Sequence, residues 1–223
     1  MKTITVLLAD DHTLVRQGLR ALLEAEGDIQ VIGEAASGRE AVDLTLKLLP
    51  AVVVMDIGMP LLNGLEATRR ILKLAPRTRV LILSAHSDDL YVCQVADIGA
   101  AGYVVKQTSA EVLAQAVREV DKGGEFFSPS LARRLRQRQQ RKVENAGRTS
   151  NERLSPREME VFQMIAESLA NKQIAVELGI SIKTVEKHRG RLMQKLDIHD
   201  TAGLARHALA SGVIENRVRF DPG

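Results

Sequence analysis

The sequence predicts two folds in one chain: a doubly wound α/β domain on a five-stranded parallel sheet, then a small all-α domain with a helix-turn-helix. Three observations lead there. Over residues 1–123, short apolar runs alternate with amphipathic helical patterns, as in βαβ units with helices on both faces of a parallel sheet. From residue 154 onward the pattern is helical only. The charge also changes sign between the halves. Residues 1–127 carry 13 Lys and Arg against 17 Asp and Glu, a balance of −4, whereas residues 128–223 carry 18 against 11, a balance of +7. An acidic half joined to a basic half separates two tasks, the second involving a polyanion.

Segments 3–9, 29–35, 51–55, 80–84 and 102–105 read as strands, and 13–26, 38–48, 64–74, 88–98 and 109–121 as helices. The third strand is the clearest. Val52, Val53, Val54 and Met55 run without a break into Asp56, as in a strand buried on both faces. Pro60 and Gly64 end regular structure beyond it. Thr108-Ser-Ala-Glu111 has the spacing of a capping box for the last of these helices, and Gly123-Gly124 closes the domain. Residues 124–152 form a linker, basic and Gln-rich over 131–142 and partly helical.

In the final part, Leu154-Ser-Pro-Arg-Glu158 offers an N-cap Ser, Pro at the first helical position and Glu three residues after the cap. Asn171 is expected to cap a short helix over 172–178 that stops at Gly179. Ser181 caps the next, which runs to about Leu196, and 201–211 makes a fourth. Helices joined by a tight Gly turn make a helix-turn-helix. This domain spans 153–216, with 217–223 as a tail.

Composition narrows the class. With 45% hydrophobic and 26% charged residues, the chain is that of a soluble globular protein. The single Cys93 excludes an intramolecular disulfide, fits a reducing compartment and reads as a small apolar filler. No stretch approaches the roughly 18 uninterrupted apolar residues of a membrane helix, and the N-terminus lacks a secretory signal pattern. A cytoplasmic protein with no membrane partner is expected.

Four further features belong beside Asp56 at the carboxyl ends of strands, where open α/β sheets place their reactive groups. Asp10-Asp11 follows the first strand, Ser84 ends the fourth and Lys106 follows the fifth. Taken singly, Asp10-Asp11 is a polar turn, Asp56 a turn residue and Lys106 a surface lysine. Together at one rim, three carboxylates repel each other unless a hard cation neutralises them, and Mg²⁺ takes carboxylates, waters and phosphate oxygens. Lys106 adds a point charge for a phosphoryl oxygen, and the Ser84 hydroxyl can hydrogen-bond another. The chemistry this set supports is phosphoryl transfer to a carboxylate, with Asp56 as nucleophile.

Residues 1–123 resemble the receiver domain of bacterial response regulators, a flavodoxin-like fold. The resemblance rests on Leu8-Ala-Asp10-Asp11-His12, Met55-Asp56-Ile-Gly-Met-Pro60 with Gly64, Ser84-Ala85, and Gly99-Ala-Ala-Gly-Tyr103-Val-Val-Lys106. It implies that Asp56 is the phosphoacceptor, served by a sensor histidine kinase. It further implies that Asp10, Asp11, Asp56 and the Gly58 carbonyl bind Mg²⁺, that Ser84 and Lys106 hold the phosphoryl group, and that Tyr103 turns inward when Ser84 engages it. The other reading of Tyr103 is an amphipathic edge residue. Many receivers have Pro after the lysine, often with a cis bond; here Gln107 stands there, where a cis bond would cost about 3 kcal/mol, and both isomers stay open. Gly58 and His86 flank the path of the hydrolytic water in such domains. His86 either modulates loss of phosphate or is a plain loop histidine. An enzyme alternative, an aspartyl-phosphate phosphohydrolase, needs a second Asp two residues after the nucleophile. Gly58 stands there, so self-phosphorylation and autodephosphorylation are the only turnover expected.

In the basic half, Lys183, Lys187, Arg191 and Lys195 recur every four residues. They drift only about 40° per step and form one stripe. Ile182, Val185, Leu192 and Leu196 take other angles and face a small core. A basic stripe opposite an apolar one suits a helix in the DNA major groove, or else a generic charged surface helix. Gly190 sits mid-helix at a cost of about 1 kcal/mol relative to Ala; it permits close approach to a phosphate or is merely tolerated.

This segment resembles the LuxR-type helix-turn-helix of the NarL/FixJ class of response regulators, through Leu154-Ser-Pro-Arg-Glu158, Asn171-Lys-Gln-Ile-Ala175, and Ser181-Ile-Lys-Thr-Val-Glu-Lys-His188-Arg with Lys195-Leu196. It implies that Lys183, Thr184, Lys187 and Arg191 face double-stranded promoter DNA, with Lys195 completing the stripe. It also implies that the last helix pairs with its twin in a homodimer formed on phosphorylation, with RNA polymerase a further candidate partner. Ser168 departs from the pattern, where the family often has Gly. The whole reads as a phosphorylation-dependent, DNA-binding transcriptional regulator of a two-component system.

Overall fold

The computed structural model describes residues 3–85, 94–127 and 154–214. Cys93, His86, residues 88–93 of the expected fourth helix, the linker over 128–153 and the tail lie outside the described residues. The chain divides into two compact units, Met1–Arg148 and Thr149–Gly223.

In the first unit, β1 (Ile4–Ala9), α1 (Thr13–Glu24), β2 (Ile29–Ala35), α2 (Gly38–Leu48), β3 (Val52–Asp56), α3 (Gly64–Leu74), β4 (Arg79–Ser84), β5 (Gly102–Val105) and α4 (Ala110–Asp121) follow one another. Residues 94–97 are helical between β4 and β5. All five strands pair in parallel, in the order β2-β1-β3-β4-β5. Successive side chains point to opposite faces of the sheet, so β3 feeds two cores. Val53 and Met55 join Leu7, Ala9, Val80 and Ile82 beneath Leu65, Ala67 and Ile71 of α3. Val52 and Val54 join Val6, Leu8, Leu81 and Leu83 beneath Leu23 of α1 and Leu113, Val117 and Val120 of α4. This is why β3 reads as an unbroken apolar run.

Two local expectations change. Thr108 does not cap α4: its N–H donates to the Val105 carbonyl at 2.9 Å, which keeps it in the turn, and Ser109 is the N-cap with no side-chain cap bond. Nor does ordered backbone stop at Gly123-Gly124. The Phe126 N–H donates to the Ala101 carbonyl at 2.9 Å, and the Phe126 carbonyl accepts from Tyr103 N–H at 2.9 Å, so this segment lies along β5.

The second unit is helical throughout: α5 (Pro156–Ala166), α6 (Asn171–Leu178), α7 (Ile182–Leu196) and α8 (Thr201–Ala210). Its core is Val161, Phe162, Met164 and Ile165 of α5, Ile174 and Leu178 of α6, Val185 and Leu192 of α7, and Leu204 and Ala208 of α8. The Ser155–Glu158 capping box forms as expected, with Pro156 in the first turn. The cap of α6 is displaced by one residue. Ala170 is the N-cap, its N–H donating to Gln173 Oε1 at 2.8 Å, while Asn171 is already helical and its Oδ1 accepts from Arg189. The Gly179 turn between α6 and α7 is left-handed, at φ 61°.

Candidate functional site

Parallel register builds the first site. Ala9 pairs with Met55, Asp56 with Leu83, and Ser84 with Val105. The residues at the strand ends, Asp10, Asp56, Ser84 and Lys106, therefore come to one rim beside β1 and β3, where the strand order reverses. Asp10 is 1% exposed, Asp56 3% and Ser84 0%. Gly64 lets α3 start against this rim, since a Cβ there would run into the Asp56 carbonyl.

Lys106 Nζ stands 2.7 Å from Asp10 Oδ2 and 3.1 Å from Asp56 Oδ2. Burial by itself pulls the Lys106 pKa down, but the charges and hydrogen bonds of Asp56 and Asp10 outweigh it and hold the pKa above the ordinary 10.5. Lys106 is thus a fixed cation between two carboxylates. Its N–H donates to the Ser84 carbonyl at 2.7 Å, tying β5 to β4. The Lys106–Gln107 bond is trans, as no cis peptide occurs among the described residues. Gly58 is buried, and so is Tyr103, whose ring belongs to the α3-side core.

Ligand atoms of Asp10, Asp11, His12 and Asp56 all lie within 4.8 Å of one another. Three carboxylates so close, with one lysine between two of them, form a donor set suited to a hard divalent cation. His12 is a member that sequence reasoning passed over, although it adjoins Asp10-Asp11. Its N–H donates to Asp10 Oδ1 at 2.8 Å, and its Nδ1 is 3.0 Å from Asp11 Oδ1. Arg16 is another: its Nη1 donates to the Asp10 carbonyl at 2.6 Å and its Nε to Glu34 Oε2 at 3.0 Å, which fixes the chain where β1 ends.

The second site is a helix face. Lys183, Lys187 and Arg191 are exposed on α7, and none has an ion-pair partner among the described residues. The domain's other arginines and lysines along α5 and α7 are engaged internally. Arg157 donates to Glu160 Oε2 at 2.8 Å and to the Leu178 carbonyl at 2.7 Å. Arg189 donates to Asn171 Oδ1 and to Thr201 Oγ1 at 2.6 Å.

Lys195 departs from the stripe. Its Nζ donates to Glu158 Oε2 at 2.7 Å. Three drifts of about 40° carry it about 120° from Lys183, over to the α5 side. Burial raises the Glu158 pKa, but Lys195 and the Ser155 N–H outweigh it and hold this carboxyl below the ordinary 4.5. Ile182 also departs from expectation: it is 45% exposed, because it lies about 60° off the line through Val185 at the helix start. Thr184 is half-buried, its hydroxyl 2.8 Å from the capping Ser181 Oγ.

Comparison with known proteins covers both units. The family described as "Response regulator receiver domain" matches residues 6–118, and "Bacterial regulatory proteins, luxR family" matches residues 152–208. The chain is 40% identical over 205 residues to the transcriptional regulatory protein LiaR of Bacillus subtilis, covering 92% of this chain and 96% of that protein. It is 36% identical over 213 residues to the response regulator VraR of Staphylococcus aureus, covering 96% and 100%. Among solved structures, RcsB from Salmonella enterica serovar Typhimurium, bound to promoter rprA in the presence of the phosphomimetic BeF3-, matches with a TM-score of 0.57 and 26% identity over 92% of this chain and 98% of that one. No helix among the described residues is long and apolar enough to cross a membrane.

Proposed function

The chain belongs to the two-component response regulators that join a receiver to a LuxR-type DNA-binding domain, and we propose that Asp56 is its phosphoacceptor and the Lys183–Arg191 face of α7 its DNA contact. It is a transcriptional regulator, like LiaR. The observation that carries the Asp56 reading is the rim itself: a buried carboxylate at the end of β3, with Lys106 Nζ at 3.1 Å and a second carboxylate sharing that lysine.

A sensor histidine kinase supplies the phosphoryl group. As the Asp56 carboxylate attacks phosphorus, the bond to the kinase histidine breaks and an acyl phosphate forms on Asp56. Asp10, Asp11, Asp56 and the Gly58 carbonyl would hold Mg²⁺, which when bound neutralises the rim and orients the phosphoryl oxygens. Lys106 then leaves Asp56 for a phosphoryl oxygen, and the Ser84 hydroxyl donates to another. Tyr103 is already buried here, so recruitment of Ser84 would hold that inward position rather than create it, changing the surface around β4 and β5. Slow hydrolysis resets the site, so the only turnover is of the protein's own acyl phosphate.

The output is a homodimer on promoter DNA, with two α7 helices in two half-sites. Lys183, Lys187 and Arg191 contact phosphates, with Thr184 at the first turn; RNA polymerase is a downstream partner. On this reading the receiver runs past 1–123 to include Phe126, which pairs along β5, the rest of 124–152 is linker, and the DNA-binding domain spans 153–216. The solved RcsB complex, with promoter DNA and BeF3- together, supports this coupling of phosphate mimic to DNA. The test is sedimentation and DNA binding with and without acetyl phosphate, for wild type and Asp56→Ala. Phosphodonor-dependent dimerisation and tighter DNA binding in wild type alone support the reading; a phosphodonor without effect on wild type overturns it.

A further inference from the structure

Glycine inside a helix weakens it relative to alanine, so a mid-helix glycine needs a reason. Elsewhere the fold supplies one. Gly64 and Gly38 start helices where a Cβ would strike the backbone of Asp56 or Leu62, and Gly179 holds a positive φ. Gly190 has neither. A Cβ built there meets nothing within 4 Å, and its φ is ordinary. It is exposed near the middle of α7. Nothing among the described residues of this chain requires it.

Its place on the helix does. At 100° per residue, Gly190 lies about 20° from Lys183 and about 60° from Lys187, and about 140–160° from the buried Val185 and Leu192. It is therefore a side-chain-free notch opposite the core, at the border of the cationic face, with Lys183 and Lys187 on one side and the exposed Glu186 about 40° away on the other. Gly18 of α1 has similarly open surroundings, but its neighbours one turn away are the exposed Leu14 and Leu22, whereas Gly190 has the polar Glu186 and Gln194 one turn away and lies almost in line with Lys183. A helix seated in the major groove brings its outermost line nearest to the base edges. A bare backbone on that line admits the helix more deeply than any side chain would.

We propose that Gly190 is the point where α7 comes closest to DNA, and that its missing side chain sets the depth of α7 in the major groove and hence which side chains reach base edges. This rests on the reading of the Lys183–Arg191 face as the DNA contact. The lysines attract the duplex; the glycine decides how far the helix enters.

The test uses the full chain with acetyl phosphate and a duplex selected from a random-sequence pool by the wild-type protein. Gly190→Ala and Gly190→Leu are compared with wild type and Lys187→Ala. Both replacements are good helix formers at an exposed position, so α7 remains folded. Hydrogen exchange of α7 amides slows about fivefold in Gly190→Ala, while affinity for the selected duplex falls about fivefold or more, and further in Gly190→Leu. Opposite signs, a firmer helix and weaker binding, support the inference. A firmer helix with unchanged affinity overturns it, as does faster exchange in Gly190→Ala, which would mean the fold itself needs the glycine. If Lys187→Ala also binds as wild type, the underlying DNA face is wrong; if only the Gly190 variants do, the face stands and the depth proposal fails.

Discussion

The receiver rim and the exposed face of α7 use charge in opposite ways. At the rim, charges converge from three strand ends far apart in sequence, with Asp10 and Asp56 buried and joined through one lysine. Along α7, Lys183, Lys187 and Arg191 come from one short segment, are exposed and have no ion-pair partner among the described residues. A small dianion needs a convergent, desolvated cluster, where electrostatic effects are large. An extended polyanion needs a row of solvated charges whose ions are released together. The two tasks implied by the opposite charge balances thus have distinct geometries.

The rim is tested most severely at Asp56. Asp56→Ala abolishes phosphoryl acceptance from acetyl phosphate, read as loss of the retarded band on a phosphate-affinity gel. Chelation of divalent cations does the same to wild type and is reversed by added Mg²⁺. Labelling that persists in Asp56→Ala would move the acceptor elsewhere, and labelling that survives chelation would separate the carboxylates from metal binding. Lys106→Ala leaves two buried carboxylates without their counter-charge and is expected to lower the rate of labelling strongly while Asp56 remains available.

Lys195 falls with the DNA-facing cations by sequence periodicity, yet it is paired with Glu158. Glu158→Gln removes the charge of a buried carboxylate whose partner ammonium is partly in solvent, and after solvent screening is expected to cost about 1 kcal/mol of stability in the helical unit. Because the folded Glu158 pKa lies below the ordinary 4.5, its contribution is complete above that value and is lost as pH falls through the depressed folded value. Denaturation of wild type and Glu158→Gln should therefore differ at neutral pH and converge in acid. A constant gap at every pH would show that the ion pair is not its source.

A smaller and more selective effect separates Lys187 from Lys195. Lys187→Ala should weaken DNA binding roughly fivefold and lower the slope of log affinity against log salt by about 0.9, as one phosphate contact is lost. Lys195→Ala should leave that slope unchanged, since its ammonium is held by Glu158. The reverse pattern would exchange their roles.

What could be read from the sequence follows the same division. The strands were legible because apolar runs reflect burial on both faces, and the rim because its acidic and basic members sit where those runs stop. Helix α7 was legible from its period. Periodicity gives an angle, however, and not the neighbour that occupies it. Glu158 of α5 lies 37 residues from Lys195, and no local signal links them. His12 and Arg16 reach Asp10 only through the turn into α1, which apolar patterning does not describe. The one-residue shift of the α6 cap has a local cause: Gln173 reaches back to the Ala170 N–H, and an alanine N-cap carries no capping side chain to mark it in sequence.

The smallest expected effect checks that fold and charge are separable in the helical unit. Ser168 holds a left-handed φ of 68°. It does so because α5 ends in a paired backbone closure, with Ser168 N–H donating to the Ile165 carbonyl at 3.0 Å and Leu169 N–H to Met164 at 3.0 Å. That closure requires the residue after the cap to turn left-handed, a conformation suited to glycine and costly for a residue with a Cβ. Ser168→Gly relieves the cost but also loosens the unfolded chain, so the net gain is about 0.5–1 kcal/mol, measured by denaturant midpoint at constant slope. Ser168 belongs to neither charged site, so phosphodonor labelling and the salt slope of DNA binding should match wild type. A change in the salt slope would mean that the α5–α6 turn sets the pose of α7 on DNA, and the cationic face would then depend on that turn as well as on its own residues.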